Sequence, residues 1–141
     1  MKETKYIPGD LVKINGVVNV IDGVYPKSFS KDRIIEAHAI EGDNTNRYRY
    51  DLDFGKIISI ELIPLTLEIL EKNGWSTQNG WYYYLDVRKG FISCIDIDFQ
   101  HKSGSGKLLV KVNNDSLLEI KYVHQLQHLL FGLGLSMDLK V

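Results

Sequence analysis

The sequence predicts an α+β protein: a small N-terminal β-barrel, then a helix, an antiparallel sheet and a C-terminal helix. Three observations carry this. The first 62 residues hold five short strand-like runs broken by turn residues. The pattern changes at Pro64, where a capped helical segment begins. The last twenty residues place apolar side chains at helical spacing.

Leu11–Ile14 and Val17–Ile21 flank Asn15-Gly16, a pair that tolerates positive φ and so predicts a hairpin. Asp22-Gly23 reads as another turn. Arg33–Ile40 lacks a 3.6-residue period and reads as a strand. In Arg47–Phe54, Arg47, Arg49, Asp51 and Asp53 alternate with Tyr48, Tyr50, Leu52 and Phe54, giving one charged and one apolar face. Ile57–Leu62 completes five strands. The opening Pro8-Gly9-Asp10-Leu11-Val12 resembles the first strand of SH3-like barrels, which makes residues 1–63 an expected SH3-like part.

Residues 64–141 form the expected α+β part, packed together with the first. Thr66 can cap a helix from Leu67 to Asn73, and Gly74 can end it. Trp81–Leu85, Phe91–Phe99 and Lys107–Asn113 read as strands, joined by loops at Asp86–Gly90 and Gln100–Gly106. Leu117–Lys121 is a candidate fourth strand, Tyr122–Leu133 a helix, and Met137–Val141 a candidate closing strand.

Composition narrows the function. The chain has 141 residues with 17 basic and 18 acidic side chains. Residues 1–64 carry nine basic and ten acidic groups, and residues 65–141 carry eight of each, so neither half is a basic arm. Nucleic acid is therefore not an expected partner, since phosphate binding draws on many Lys and Arg contacts. One cysteine, Cys94, supports neither an internal disulfide nor a multi-cysteine zinc site. No apolar leader follows Met1, and no apolar run reaches the ~18 residues of a membrane span. The expectation is a cytoplasmic protein without a membrane partner.

Several residue groups invite a chemical reading. His124 and His128 stand four apart and can share a metal on one helix face. Tyr122, Val123, Leu126, Leu129, Leu130 and Leu133 form the apolar arc of that helix, with His124, Gln125 and His128 opposite. Without a third ligand, the histidines read as solvated or interface side chains, and no metal or cofactor is expected. Asp96 and Asp98 share a strand face, as do Asp51 and Asp53; each pair fits the polar side of a half-buried strand. Trp81-Tyr82-Tyr83-Tyr84 puts two rings on each face, so an exposed pair offers a binding platform. Tyr48 and Tyr50 read as core or cross-strand packing. Lys102–Lys107 departs from the phosphate-loop spacing and reads as a hairpin tip. Cys94 reads as an inert core thiol.

Two stretches carry a family resemblance. Ile63-Pro64-Leu65-Thr66-Leu67-Glu68-Ile69-Leu70-Glu71-Lys72-Asn73-Gly74-Trp75 resembles a Pro-Leu-Thr…Gly-Phe segment of small proteins encoded by phages, prophages and mobile elements of Bacteroides-type bacteria. It departs at Leu67-Glu68-Ile69 and has Trp75 for Phe. Tyr122-Val123-His124-Gln125-Leu126-Gln127-His128-Leu129 is similar to their Tyr-Val-His-x-Leu-Gln-Asn-Leu helix, with His128 for Asn. That family carries no assigned catalytic residues, so the resemblance implies a mobile-element setting. The matched His124 and Gln127 mark the polar side of the helix as a place to look.

The resulting expectation is a non-enzymatic phage or prophage accessory protein. It would bind a host or phage protein, with the countering of host defence as one use. Two alternatives stand beside it. One is a sponge for a nucleotide-like small molecule, with Trp81–Tyr84 for stacking and Arg47, Arg49 or Lys107 for phosphate. The other is a metal-dependent enzyme built on His124, His128 and Asp96 or Asp98. A homo-oligomer is compatible with each.

Overall fold

A computed structural model describes residues 6–26, 33–40, 48–51, 60–99 and 107–141. The chain divides into two units, 1–63 with 126–138, and 64–125 with 139–141.

The first unit is built on five antiparallel strands: β1 (Leu11–Ile14), β2 (Val17–Pro26), β3 (Arg33–Ala39), β4 (Tyr48–Asp51) and β5 (Ile60–Leu62). Their order is β4-β3-β2-β1-β5. Asn15 at φ 51° and Gly16 at φ 81° make the expected tight turn, which sets Ile14 opposite Val17. Pairing carries alternation across the sheet. Val12, Ile14, Ile21, Ile35 and Ala37 share one face and are its buried core, with Tyr6, Val24, Ile60 and Leu62 packed against them. Burying such a Val or Ile side chain is worth about 1.5–3 kcal/mol, which offsets the conformational entropy of ordering the strands.

Two expectations fail here. The five strands form an open sheet with β4 and β5 at opposite edges, so the predicted barrel is not closed. Asp22-Gly23 is no turn either. The register shifts between Ile21 and Gly23, and β2 runs on to Pro26 through a bulge.

The second unit is a second antiparallel sheet with a short helix. α1 (Leu67–Lys72) starts at Thr66, whose hydroxyl accepts from the Ile69 N–H at 3.3 Å, and Gly74 follows it at φ 82°. Strands β6 (Ser76–Thr77), β7 (Tyr82–Lys89), β8 (Ile92–Asp98), β9 (Leu108–Val112) and β10 (Asp115–Ile120) run in the order β10-β9-β8-β7-β6. β7 extends through the stretch read as the loop Asp86–Gly90, with a bulge at Asp86/Lys89 and Arg88 at φ 48°. Asn113 at φ 51° and Asn114 at φ 68° turn the chain from β9 into β10.

α2 (Val123–Gly132) contributes its first residues to the second unit and Leu126 onward to the first. Among the described residues, two short helices against ten strands make a mostly β chain, not the α+β arrangement the sequence predicts. The closing strand expected at Met137–Val141 is not formed. The tail backbone bonds to a side chain instead: Lys140 N–H donates to Asn73 Oδ1 at 2.8 Å, and Asn73 Nδ2 donates to the Lys140 carbonyl at 2.7 Å. The predicted loop Gln100–Gly106 lies outside the described residues. Among the described residues no helix is long and apolar enough to cross a membrane.

The β1–β2 turn gives a clean test. A Cβ on Gly16 would meet nothing within 4 Å, so Gly16→Ala costs only the left-handed backbone. Urea unfolding should show a loss of about 1–2 kcal/mol.

Candidate functional site

Two clusters collect most of the polar chemistry, one in each unit. The first is a knot around Gly9-Asp10. Asp10 is fully buried, and one carboxylate oxygen accepts the Ile7 N–H at 2.9 Å, closing the chain entry to β1. The same carboxylate lies 2.8 and 2.9 Å from His128 Nε2. One residue earlier on α2, the Gln127 carboxamide accepts from Leu11 N–H at 2.9 Å. It donates to the carbonyls of Gly9 at 2.8 Å and Met137 at 3.0 Å. Gln127 is as buried as Asp10. A second Asp–His pair stands on the outer face of the same sheet, with His38 Nδ1 2.8 Å from Asp22 Oδ2.

This corrects the reading of the helix. His124 and Gln127 are buried, and His128 is half-buried against Asp10. His124 and Gln127 are therefore not solvated side chains. The two rings meet different partners: His128 Nε2 lies against Asp10, while His124 stacks on Tyr122 with ring centroids 6.1 Å apart, and the two belong to different units. No three His, Cys, Asp or Glu side chains among the described residues gather as a metal would need. A signal for burial was present. Val123–Gly132 contains no Lys, Arg, Asp or Glu, whereas an exposed helix face is usually charged.

The second cluster lies on the sheet of the second unit. Register makes two rows across one face. Ser76, Tyr84, Asp96, Lys111 and Ser116 form one; Tyr82, Asp98, Leu109 and Glu119 form the other. The opposite face carries Tyr83, Ile95, Ile97, Val110 and Ile120, all buried. The aromatic run is thereby sorted. Tyr83 enters the core, edge-on to Phe99, and donates its hydroxyl to Glu71 Oε1 at 2.7 Å, which ties α1 to this face. Tyr82 and Tyr84 stand half-exposed on the polar face, and Trp81 sits edge-on to Tyr82 at 5.9 Å. The Tyr82 hydroxyl donates to Asp96, which is 4% exposed, and Lys111 Nζ lies 5.9 Å over the Tyr82 ring.

Cys94 shares this polar face rather than the core, two residues from Asp96. Burial, then the Asp96 and Asp86 carboxylates, raises its thiol above the ordinary range, so the nucleophilic thiolate is suppressed near neutrality. Both tyrosines are pushed up to about 12, Tyr82 by burial and then by Asp96, Tyr83 by its bond to Glu71 and then by burial.

The remaining predicted residues are scattered. Lys107 is exposed just before β9, and Arg49 lies in β4 opposite Glu36 in register. Arg47 lies outside the described residues, as do Asp53 and residues 102–106 of the predicted hairpin tip. Tyr48, expected in packing, is 56% exposed at the sheet edge beside Ala37. The arginines and the Trp81–Tyr84 run belong to separate units.

No family model, no curated protein and no solved structure matches this chain.

Two measurements check the geometry. Gln127→Leu keeps the volume but strips partners from three backbone groups, each costing about 1–3 kcal/mol if left unmet in the interior. Chemical unfolding should show a loss of several times that of Gly16→Ala; a near-neutral result would remove the knot as a structural element. The tyrosines set an alkaline limit. Their folded-state pKa of about 12 lies above the ordinary 10.0, so stability is complete below pH 10.0 and falls as pH rises toward about 12. Tyr83→Phe should flatten that fall and remove one late-ionising phenol from an absorbance titration.

Proposed function

We propose that this chain is a non-catalytic binding protein whose recognition surface is the Tyr82–Tyr84–Asp96–Lys111 face of the second sheet. The resemblance to small phage and prophage proteins supports a mobile-element setting, where such a protein would engage a host or phage protein. One observation carries the reading. Two half-exposed tyrosine rings stand on a strand next to the central one, on the face opposite the core, and the Tyr82 hydroxyl bonds to the buried Asp96 carboxylate. Rings held this way lose little rotamer entropy on binding, and Tyr supplies apolar area with a polar tip.

Charge selects the partner. The face holds Asp86, Asp96, Asp98 and Glu119 against Lys89 and Lys111. A surface of that sign suits a protein segment bearing Lys or Arg and repels phosphate. That favours a protein over a nucleotide. The chemistry of the cluster also favours binding: Asp96 is engaged by Tyr82, and the Cys94 thiol stays protonated near neutrality.

Capture from host-cell lysate tests this when run beside variants of the face. The wild-type chain should retain a protein that elevated salt releases. Tyr84→Ala with Asp86→Lys should weaken retention by at least about tenfold, near 1.4 kcal/mol. Equal retention by the variant, or thermal stabilisation of the wild type by nucleotides with no protein retained, would reject the reading.

A further inference from the structure

The link between β6 and β7 holds a second Asn-Gly pair, Asn79-Gly80, in surroundings unlike those of the first. Asn15-Gly16 is a tight turn closed by paired strands, with Ile14 facing Val17. Asn79-Gly80 lies outside the strands, in a loop where Gln78, Asn79 and Gly80 are all exposed. Four hydrogen bonds shape that loop. Asn79 Oδ1 accepts from Trp81 N–H at 3.2 Å and from Tyr82 N–H at 3.0 Å. Gly80 N–H donates to Thr77 Oγ1 at 2.9 Å. The Thr77 hydroxyl donates its own proton to the Tyr82 carbonyl at 2.8 Å, so its oxygen meets Gly80 with a lone pair.

An Asn side chain followed by Gly can react with its own backbone, because no Cβ on the Gly obstructs the approach. The Gly nitrogen attacks Asn Cγ. A bond from nitrogen to Cγ forms and the bond from Cγ to Nδ2 breaks. The proton on the attacking nitrogen passes to water, and Nδ2 takes a proton from water and leaves as ammonia. A succinimide ring remains. Water then opens it at either carbonyl, leaving an aspartyl or an isoaspartyl residue. Nothing is oxidised or reduced.

Each group that changes charge along this path has a fitting neighbour here. Negative charge develops on Oδ1 as Cγ becomes tetrahedral, and two backbone N–H groups already point at that oxygen. The Gly80 nitrogen must lose its proton, and Thr77 Oγ1 accepts that N–H, which raises electron density on the nitrogen. Asn79 is exposed, so ammonia departs into water. A Cβ on Gly80 would meet nothing within 4 Å, so the space beside the pair is open.

We infer that Asn79-Gly80 is a self-modification site, where the folded chain converts Asn79 to a succinimide and then to aspartyl and isoaspartyl forms with water as co-reactant. The change bears on the strand beside it. Asn79 Oδ1 fixes the N–H groups of Trp81 and Tyr82 at the start of β7. An isoaspartyl linkage puts an extra methylene into the main chain there and adds a negative charge. The conversion is independent of any partner at the Tyr82–Lys111 face.

Peptide mapping by mass spectrometry tests this on the full chain, incubated folded and, in parallel, unfolded in guanidinium chloride. Asn79 should convert faster in the folded chain than in the unfolded one. In the folded chain it should also convert at least about tenfold faster than Asn15. Thr77→Val removes the acceptor on Gly80 N–H and should slow Asn79 while leaving Asn15 unchanged. Thr77→Ser returns the acceptor and should keep the wild-type rate. Slower conversion of Asn79 in the folded than in the unfolded chain overturns the inference. So does a folded Asn79 that converts no faster than Asn15, or a folded Thr77→Val that converts like the wild type. Circular dichroism checks the variants. If Thr77→Val loses its fold, the two wild-type comparisons decide alone.

Discussion

The buried carboxamide of Gln127 is the constraint on which the first unit depends. It meets backbone groups of Gly9 and Leu11, 118 and 116 residues away in sequence, and of Met137. A backbone group buried without a partner costs about as much as a lost hydrogen bond. The start of β1 therefore needs a side chain from the far end of the chain. Asp10 follows the same logic, with its carboxylate divided between the Ile7 N–H and His128. Residues 64–125 stand between these two parts of the unit in sequence. The unit completes itself through contacts of very high sequence separation, which are slow to find but add little loop entropy once the loop is long.

That separation explains what the sequence displayed and what it concealed. Signals confined to a few residues were legible. Asn15-Gly16 is a turn because both positions need positive φ, and Thr66 with Gly74 bracket α1 because the helix ends need those partners. Asp22-Gly23 has the same composition as a turn, yet it sits in a bulge. There the glycine lets β2 bend while pairing with β3 continues on both sides. Composition alone does not separate these outcomes, since the partner strand decides. Sheet closure is less local still. Five strands at even spacing fit an open sheet or a barrel equally, and the edges settle it.

The helix was misread for a related reason. A helical wheel sorts residues into apolar and polar faces and assigns the polar face to water. Gln127 and His124 are polar and buried, and the wheel has no place for that. The aromatic run fared better, because strand alternation is a strict rule. Trp81–Tyr84 had to split between faces, and Tyr83 alone became core while Tyr82 and Tyr84 took the opposite side. Which side would be polar followed from Asp96 and Asp98 two residues apart. That Asp96 would be buried beneath tyrosines did not. It depends on cross-strand register, which places Tyr84 and Lys111 directly to either side of it.

Near-neutral charge looked like the least informative property of this chain. It excluded a basic nucleic-acid binder and little else. In the fold the balance turns out to be ordered. One face of the second sheet carries Asp86, Asp96, Asp98 and Glu119 against Lys89 and Lys111, so that unit presents a signed surface although its half of the chain carries equal numbers of acids and bases. A sum of zero built from separated signs produces fields at the scale of one contact, while a sum of zero built from mixed signs does not. The arrangement of charge on the faces of a sheet, rather than its total, is what this protein has available for choosing what it touches.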